Sequence, residues 1–244
     1  MLKALIFDVD GTLADTERDG HRVAFNHAFA DAGHEWHWDV AAYGHWLDVA
    51  GGKQRLSHFL QTVAPELLPS ERTNLVASLH ARKTEHYLRL MDRGGILLRP
   101  GVARLLAEAR GNRMRLAIAT TTTRANVDAL LEGQLGKRWQ DRFIAVLCAE
   151  DAPAKKPDPM VYRLALERLA LPAAAVLALE DSPAGTAACR AAGVPVVVTR
   201  STYFAASDPG AVLAVGPGLH TTQGWHPAPA TGPRIGLAQL RAWL

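Results

Sequence analysis

The sequence predicts an α/β fold: a doubly wound parallel sheet with a small α-helical cap inserted after its first strand. Three observations carry that reading. From about residue 96 onward, short apolar runs alternate with helix-period segments, the pattern of a parallel sheet wrapped by helices. From residue 15 to 95 no strand pattern appears, only amphipathic helical ones. The first apolar run, Leu2 to Phe7, stops abruptly at Asp8-Val9-Asp10-Gly11-Thr12, and the carboxyl ends of strands are where open parallel sheets bind ligands.

In chain order, Lys3–Val9 reads as the first strand, rich in strand-forming side chains. Helical patterns follow over Thr16–Ala32, His45–Val63 and Ser70–Met91. Gly94-Gly95 and Arg99-Pro100-Gly101 punctuate the return to alternation. Strands are then expected at Arg115–Thr121, Ile144–Cys148, Val176–Glu180 and Val194–Thr199, with helices at Val102–Arg110, Arg124–Leu135, Pro159–Leu169 and Pro183–Ala192. The Ala/Gly/Pro-rich stretch from Ala205 to Arg234 reads as irregular, with a short final helix over Gly236–Leu244. The expected division is a catalytic core of residues 1–14 and 96–244 and a cap of residues 15–95.

The chain has 244 residues, of which 48% are hydrophobic and 21% charged, enough for a sizeable core without disulfides. Its two cysteines, Cys148 and Cys189, sit in apolar surroundings and read as reduced thiols of a cytoplasmic protein. No basic and apolar leader precedes the first strand, and no apolar run is long enough to span a bilayer. The net charge of +3 comes from scattered residues with no Lys/Arg-rich block. Nucleic-acid and membrane partners are therefore not expected, and the balance suits a small anionic substrate.

Four strand ends carry candidate chemistry. Asp8 and Asp10 alternate, so both carboxylates leave an extended backbone on one side. Like charges that close require a cation or a proton between them. Thr120-Thr121-Thr122-Thr123 follows a strand; its hydroxyls suit phosphate oxygens, and they serve equally as a helix cap. Lys155-Lys156-Pro157 precedes a helix and reads either as a solvated loop or as charge for a transferring phosphate. Glu180-Asp181 ends another strand; Asp181 caps the next helix or supplies a third carboxylate. A few hard oxygen ligands with room for water favour Mg²⁺.

In the helical segment, Glu17, His21, Ala24, Phe25 and Ala28 share one face, so Glu17 and His21 are candidates to look into a cleft. Gly51-Gly52-Lys53-Gln54-Arg55 is not a P-loop, because Leu47 and Gln54 stand where a glycine and a Ser/Thr belong. Its amides and Lys53 remain candidates for a second phosphate or a sugar hydroxyl. His80, Lys83 and Tyr87 form one polar edge of the third helix. His34 and His37 lack the spacing of metal ligands and read as surface residues.

Taken together, DVDGT at Asp8–Thr12, Thr120 after a strand, Lys156 before a proline, and Glu180-Asp181 resemble the haloacid dehalogenase superfamily, in order and spacing, over the chain to about Thr199. That resemblance implies Asp8 as nucleophile and Asp10 as acid and base. It implies Mg²⁺ held by Asp8, the Asp10 carbonyl and Asp181, with Thr120 and Lys156 on the phosphate oxygens. At finer grain the sequence is similar to the CbbY-type phosphatases, through Ala50-Gly51-Gly52-Lys53-x-Arg55, Glu17, His21, His80-x-x-Lys83-Thr84-Glu85, Ala119-Thr120-Thr121-Thr122 and Asn126. This implies a phosphorylated-sugar substrate, xylulose 1,5-bisphosphate. Substrate contacts would come from Glu17, His21, Gly51, Gly52, Lys53, Arg55, His80, Lys83, Thr121, Thr122 and Asn126, in a monomeric enzyme. The rival enzyme class is a phosphosugar mutase of the β-phosphoglucomutase type, which shares these motifs. A non-enzymic phosphoacceptor module lacks both a large helical insertion and an acid two residues past its aspartate.

Overall fold

The computed structural model describes residues 1–49 and 51–244. Six strands, β1 (Ala4–Phe7), β2 (Arg115–Ala119), β3 (Ala145–Leu147), β4 (Val176–Glu180), β5 (Val196–Thr199) and β6 (Ala214–Gly216), form one sheet in the order β3-β2-β1-β4-β5-β6. Every neighbouring pair is parallel. The chain leaves β1 toward β2 on one side and later adds β4 on the other, so the winding reverses at β1. That reversal opens a crevice beyond the carboxyl ends of β1 and β4.

Alternation along β1 builds a core on each face. Leu5 and Phe7 join α5 (Val102–Gly111), α6 (Arg124–Leu135) and α9 (Leu237–Trp243) in one cluster. Ala4 and Ile6 join α7 (Met160–Leu169) and α8 (Pro183–Ala191) in the other. All four β1 residues are fully buried, as expected of a strand covered by helices on both faces.

Between β1 and β2 lie α1 (Arg22–Asp31), α2 (Val40–His45), α3 (Gly52–Val63) and α4 (Pro69–Asp92). They enclose an aromatic cluster of their own, with Phe29 and Phe59 each about 4.9 Å from the Trp38 ring in edge-to-face contact. The outgoing and returning segments meet at an Ala14–Leu98 bridge. Beside it, the Arg99 guanidinium donates to the carbonyls of Gly11, Thr199 (3.1 Å), Arg200 (2.6 Å) and Pro217 (3.2 Å). No helix among the described residues is long and apolar enough to cross a membrane.

The elements depart from the sequence expectation in four places. The first helix opens with a π-turn, Glu17–His21, whose wider spacing sets both ends toward the crevice. The expected helix over His45–Val63 is broken before Gly52, because Gly51 takes φ +89°, a conformation that ends a helix and that glycine adopts without strain. Ala50, part of the same motif, lies outside the described residues. Upstream of the break, α2 was not expected; its signal was Asp39, whose carboxylate caps the Ala42 amide at 2.7 Å. Strand β6 was hidden by the composition of the tail; it supplies a short outer neighbour for β5.

Phe29 is fully buried in the aromatic cluster. Phe29→Ala should cost ~3–5 kcal/mol, the range for deleting a buried aromatic ring, measured by urea denaturation.

Candidate active site

Sheet register places the site. Phe7 lies opposite Ile118 of β2 and Leu179 of β4, so the next residues along, Asp8, Ala119 and Glu180, emerge together. The Asp8, Glu180 and Asp181 carboxylates are buried and within 4.8 Å of one another. One ammonium answers them. Lys156 Nζ donates to Asp8 Oδ1 at 2.6 Å, to Glu180 Oε1 at 2.6 Å and to the Ala119 carbonyl at 2.9 Å, which uses all three of its donors.

Three carboxylates facing one ammonium leave two negative charges unbalanced, and the titration behaviour follows. Burial pushes Asp8 up to about 8, with help from Glu180 and Asp10 and against Lys156. Burial and the Asp8 and Glu180 charges push Asp181 well above the carboxylate range. Burial alone would lower Lys156, but the two carboxylates it touches outweigh that and hold it above the ordinary lysine range. A divalent cation is the natural complement of this excess.

The donor set fits such an ion. Gly11, at φ +84°, leaves open the place beside Asp181 that a side chain would fill: a Cβ there would lie 2.0 Å from Asp181 Oδ2. Asp8 and Asp181 both line the cleft. Glu180 does not. It is fully buried, and its oxygens are taken by Lys156, by the Tyr162 hydroxyl, by the Asp181 amide (3.2 Å) and by Ser182 Oγ (3.3 Å). Glu180 therefore fixes Lys156 rather than facing the opening.

Asp10 stands apart from the cluster. Its Oδ1 accepts from Thr16 Oγ1 at 2.5 Å and lies 3.2 Å from His21 Nε2, whose ring stacks on Tyr87 at 4.5 Å. Burial would raise Asp10, but His21, Thr16 and Lys83 together hold it below the usual carboxylate range. Two aspartates two residues apart thus occupy opposite electrostatic settings.

Beyond β2, Thr121 and Thr122 line the cleft, and Asn126 donates to Thr122 Oγ1 at 3.0 Å. Thr120 is turned inward, its hydroxyl accepting the Thr122 amide at 3.2 Å. Across the opening stand Glu17, His21, Gly51, Gly52, Arg55, His80 and Lys83. The Lys83 ammonium is buried over the faces of Phe25 (5.4 Å) and Tyr87 (5.1 Å) and makes no hydrogen bond among the described residues. Burial lowers Lys83 to about 8, against the pull of Glu17 and Asp10. Burial and the neighbouring Lys83 and Lys53 charges lower His80 to about 4, so His80 is neutral at pH 7. Lys53 does not reach the cleft. Two residues apart on a helix are turned by about 200°, so the face that buries Arg55 leaves Lys53 in solvent.

Several neighbours went unread in the sequence. Tyr43 donates to Glu17 Oε2 at 2.5 Å and accepts from Arg55 at 2.6 Å. Tyr162 serves Glu180, and Ser201 lies beside Asp181 at the Gly11 turn. Each acts on a residue distant in sequence, so no local pattern marks it. Thr16 is the exception, following Asp10 by a fixed short spacing in the same loop.

Residues 2–193 match the family described as haloacid dehalogenase-like hydrolase. Protein CbbY of Cupriavidus necator is 48% identical over 99% of this chain and 96% of its own length. Protein CbbY of Rhodobacter capsulatus is 47% identical over 85% of this chain and 89% of its own. Among solved structures, a mutant CbbY of Rhodobacter sphaeroides in complex with xylulose 1,5-bisphosphate aligns with a TM-score of 0.80 and 40% identity, covering 87% of this chain and 92% of that one. The same protein in complex with phosphate aligns with a TM-score of 0.79.

Titration with Mg²⁺ or Mn²⁺ should raise the thermal midpoint, a cation at a hundred times its Kd adding ~2.7 kcal/mol. Asp181→Asn should lose most of that increment.

Proposed function

The chain belongs to the haloacid dehalogenase-like hydrolase family, and from that premise we propose that it is a Mg²⁺-dependent phosphatase of a small phosphorylated sugar, xylulose 1,5-bisphosphate. The observation that carries the reading is the pairing of two phosphate stations in one cleft. At the sheet Asp8 and Asp181 face the opening beside Lys156 as a place for a cation, and Lys83 stands on α4 with no hydrogen-bond acceptor among the described residues. One phosphate at each station suits a bisphosphate. The likeness to a CbbY structure holding xylulose 1,5-bisphosphate supports the choice of sugar.

In this reading residues 1–14 and 96–244 form the catalytic core and residues 15–95 the cap that selects substrate. Asp8, Asp181 and the Asp10 carbonyl would hold Mg²⁺. The bound ion supplies positive charge that favours the Asp8 carboxylate and offsets its repulsion from a phosphate dianion. An Asp8 oxygen forms a bond to phosphorus as the bond to the sugar oxygen breaks, giving an aspartyl-phosphate. Asp10 hands its proton to the departing oxygen. The negative phosphate beside Asp10 raises its proton affinity from the depressed resting value, which prepares it for that transfer. Water then attacks phosphorus, Asp10 takes up its proton, and the Asp8 carboxylate is released. Lys156, held by Glu180, would turn the donor it gives Asp8 toward a phosphate oxygen, and Thr121 and Thr122, on the turn that Thr120 fixes, meet the remaining oxygens. Lys83, Arg55, Glu17, His21, His80 and Asn126, with the Gly51 and Gly52 backbone, hold the sugar and the distal phosphate.

Phosphate release across pentulose and hexose mono- and bisphosphates with Mg²⁺ tests the reading: xylulose 1,5-bisphosphate should be preferred. Asp8→Asn should leave the fold intact and reduce turnover below ~1% of wild type, as removal of a nucleophile does. A clear preference for a monophosphate would refute the distal station. A pH profile tests the same station. Lys83 is charged below about 8 and neutral above it, so KM for the bisphosphate should be low below that pH and rise as pH passes through it. Lys83→Arg should remove the break, because arginine stays protonated.

A further inference from the structure

Four consecutive residues after β5 each touch a different part of the site. Ser201 lies beside Asp181 at the Gly11 turn. Thr202 Oγ1 accepts from Arg18 at 3.4 Å, on the π-turn that carries Glu17 and His21. The Tyr203 ring lies against Gly44 and 5.8 Å from the Tyr43 ring. Phe204 lines the cleft. The loop is tied down by Arg200, whose guanidinium donates to the carbonyls of Phe204 (3.3 Å), Ala205 (2.7 Å) and Ser207 (2.9 Å). It is thus a short strap anchored in the sheet, with one aromatic ring seated among the helices.

The seat matters because of what Tyr43 does. Its hydroxyl joins Glu17 to Arg55, and both of these line the far side of the cleft. Tyr203 supports the Tyr43 ring from the sheet side, while its own buried hydroxyl has no hydrogen-bond partner among the described residues. We propose that Tyr203 is a positioning residue for the sugar end of the substrate, holding Tyr43 so that Glu17 and Arg55 meet it in one arrangement. The ring does this by packing and the hydroxyl takes no part. The proposal rests on the reading of the cleft as a sugar-phosphate site. It does not concern the phosphoryl-transfer residues.

The test compares xylulose 1,5-bisphosphate with p-nitrophenyl phosphate, which has a phosphate but no sugar. Tyr203→Ala should raise KM for the bisphosphate about tenfold with kcat little changed, and move kcat/KM for p-nitrophenyl phosphate less than about twofold. Tyr203→Phe should match wild type on both. Should Tyr203→Ala not fold, Tyr203→Leu keeps apolar volume without the flat ring and carries the same comparison. Equal losses on both substrates, no loss on the bisphosphate, or a Tyr203→Phe defect as large as that of Tyr203→Ala would each overturn the assignment. A wild-type enzyme with no preference between the two substrates would overturn the sugar-phosphate reading itself, and the assignment with it.

Discussion

The Lys156 ammonium, wedged 2.6 Å from both Asp8 and Glu180, is the contact around which the site is organised. Burying three carboxylates is costly, and one lysine compensates for only part of it. The surrounding structure supplies the remainder in small pieces: the Ala119 carbonyl fixes the lysine, while Tyr162, Ser182 and a backbone amide occupy the oxygens of Glu180. Glu180 is thereby spent within the protein, and Asp8 and Asp181 are left facing the opening. A fold stabilised only by apolar burial would have no use for such an arrangement. Its retained negative excess is what makes the crevice receptive to a cation and then to phosphate.

The helical insertion answers a different requirement. The sheet alone offers a shallow crevice with a reactive floor, exposed to water. The helices place a second wall over it, built on an aromatic cluster stiff enough to hold buried charge. Lys83 illustrates the economy of the design, because aromatic faces stabilise its ammonium without consuming its donors. The π-turn at Glu17–His21 then brings an acid and an imidazole to the seam between wall and floor, and the imidazole touches Asp10.

Much of this was legible in the sequence for a physical reason. Strand ends in parallel sheets converge, so motifs after separate strands, joined by their order and spacing into a family resemblance, could be assigned to one place. Asp8, Asp10, Lys156 and Asp181 do meet there. The helical wall was legible in content and less so in detail. Lys53 and Arg55 both carry charge in one motif, yet helical rotation sends them to opposite faces. The break at Gly51 depends on a backbone angle that side-chain spacing does not encode. Tyr43, Tyr162 and Tyr203 were silent because an aromatic residue in an apolar pattern reads as core, and the work of each is done through space. Strand β6 escaped notice because its three residues lie inside an Ala/Gly/Pro-rich stretch that reads as irregular.

Arg99 carries an implication for how the molecule comes into being. Its guanidinium ties the Gly11 carbonyl, 88 residues upstream, to that of Pro217, 118 residues downstream. The loop bearing Asp8 and Asp10 is therefore synthesised well before the segment that supplies one of its struts. Contacts of such long sequence separation form late, after the chain between them has been ordered. The nascent chain can wind β1 through β4 and close the helical insertion while the turn at Gly11 still lacks its completed brace. The loop of Asp8 and Asp10 is thus braced by a distant downstream segment, and its two carboxylates reach their final setting only once that segment has been made.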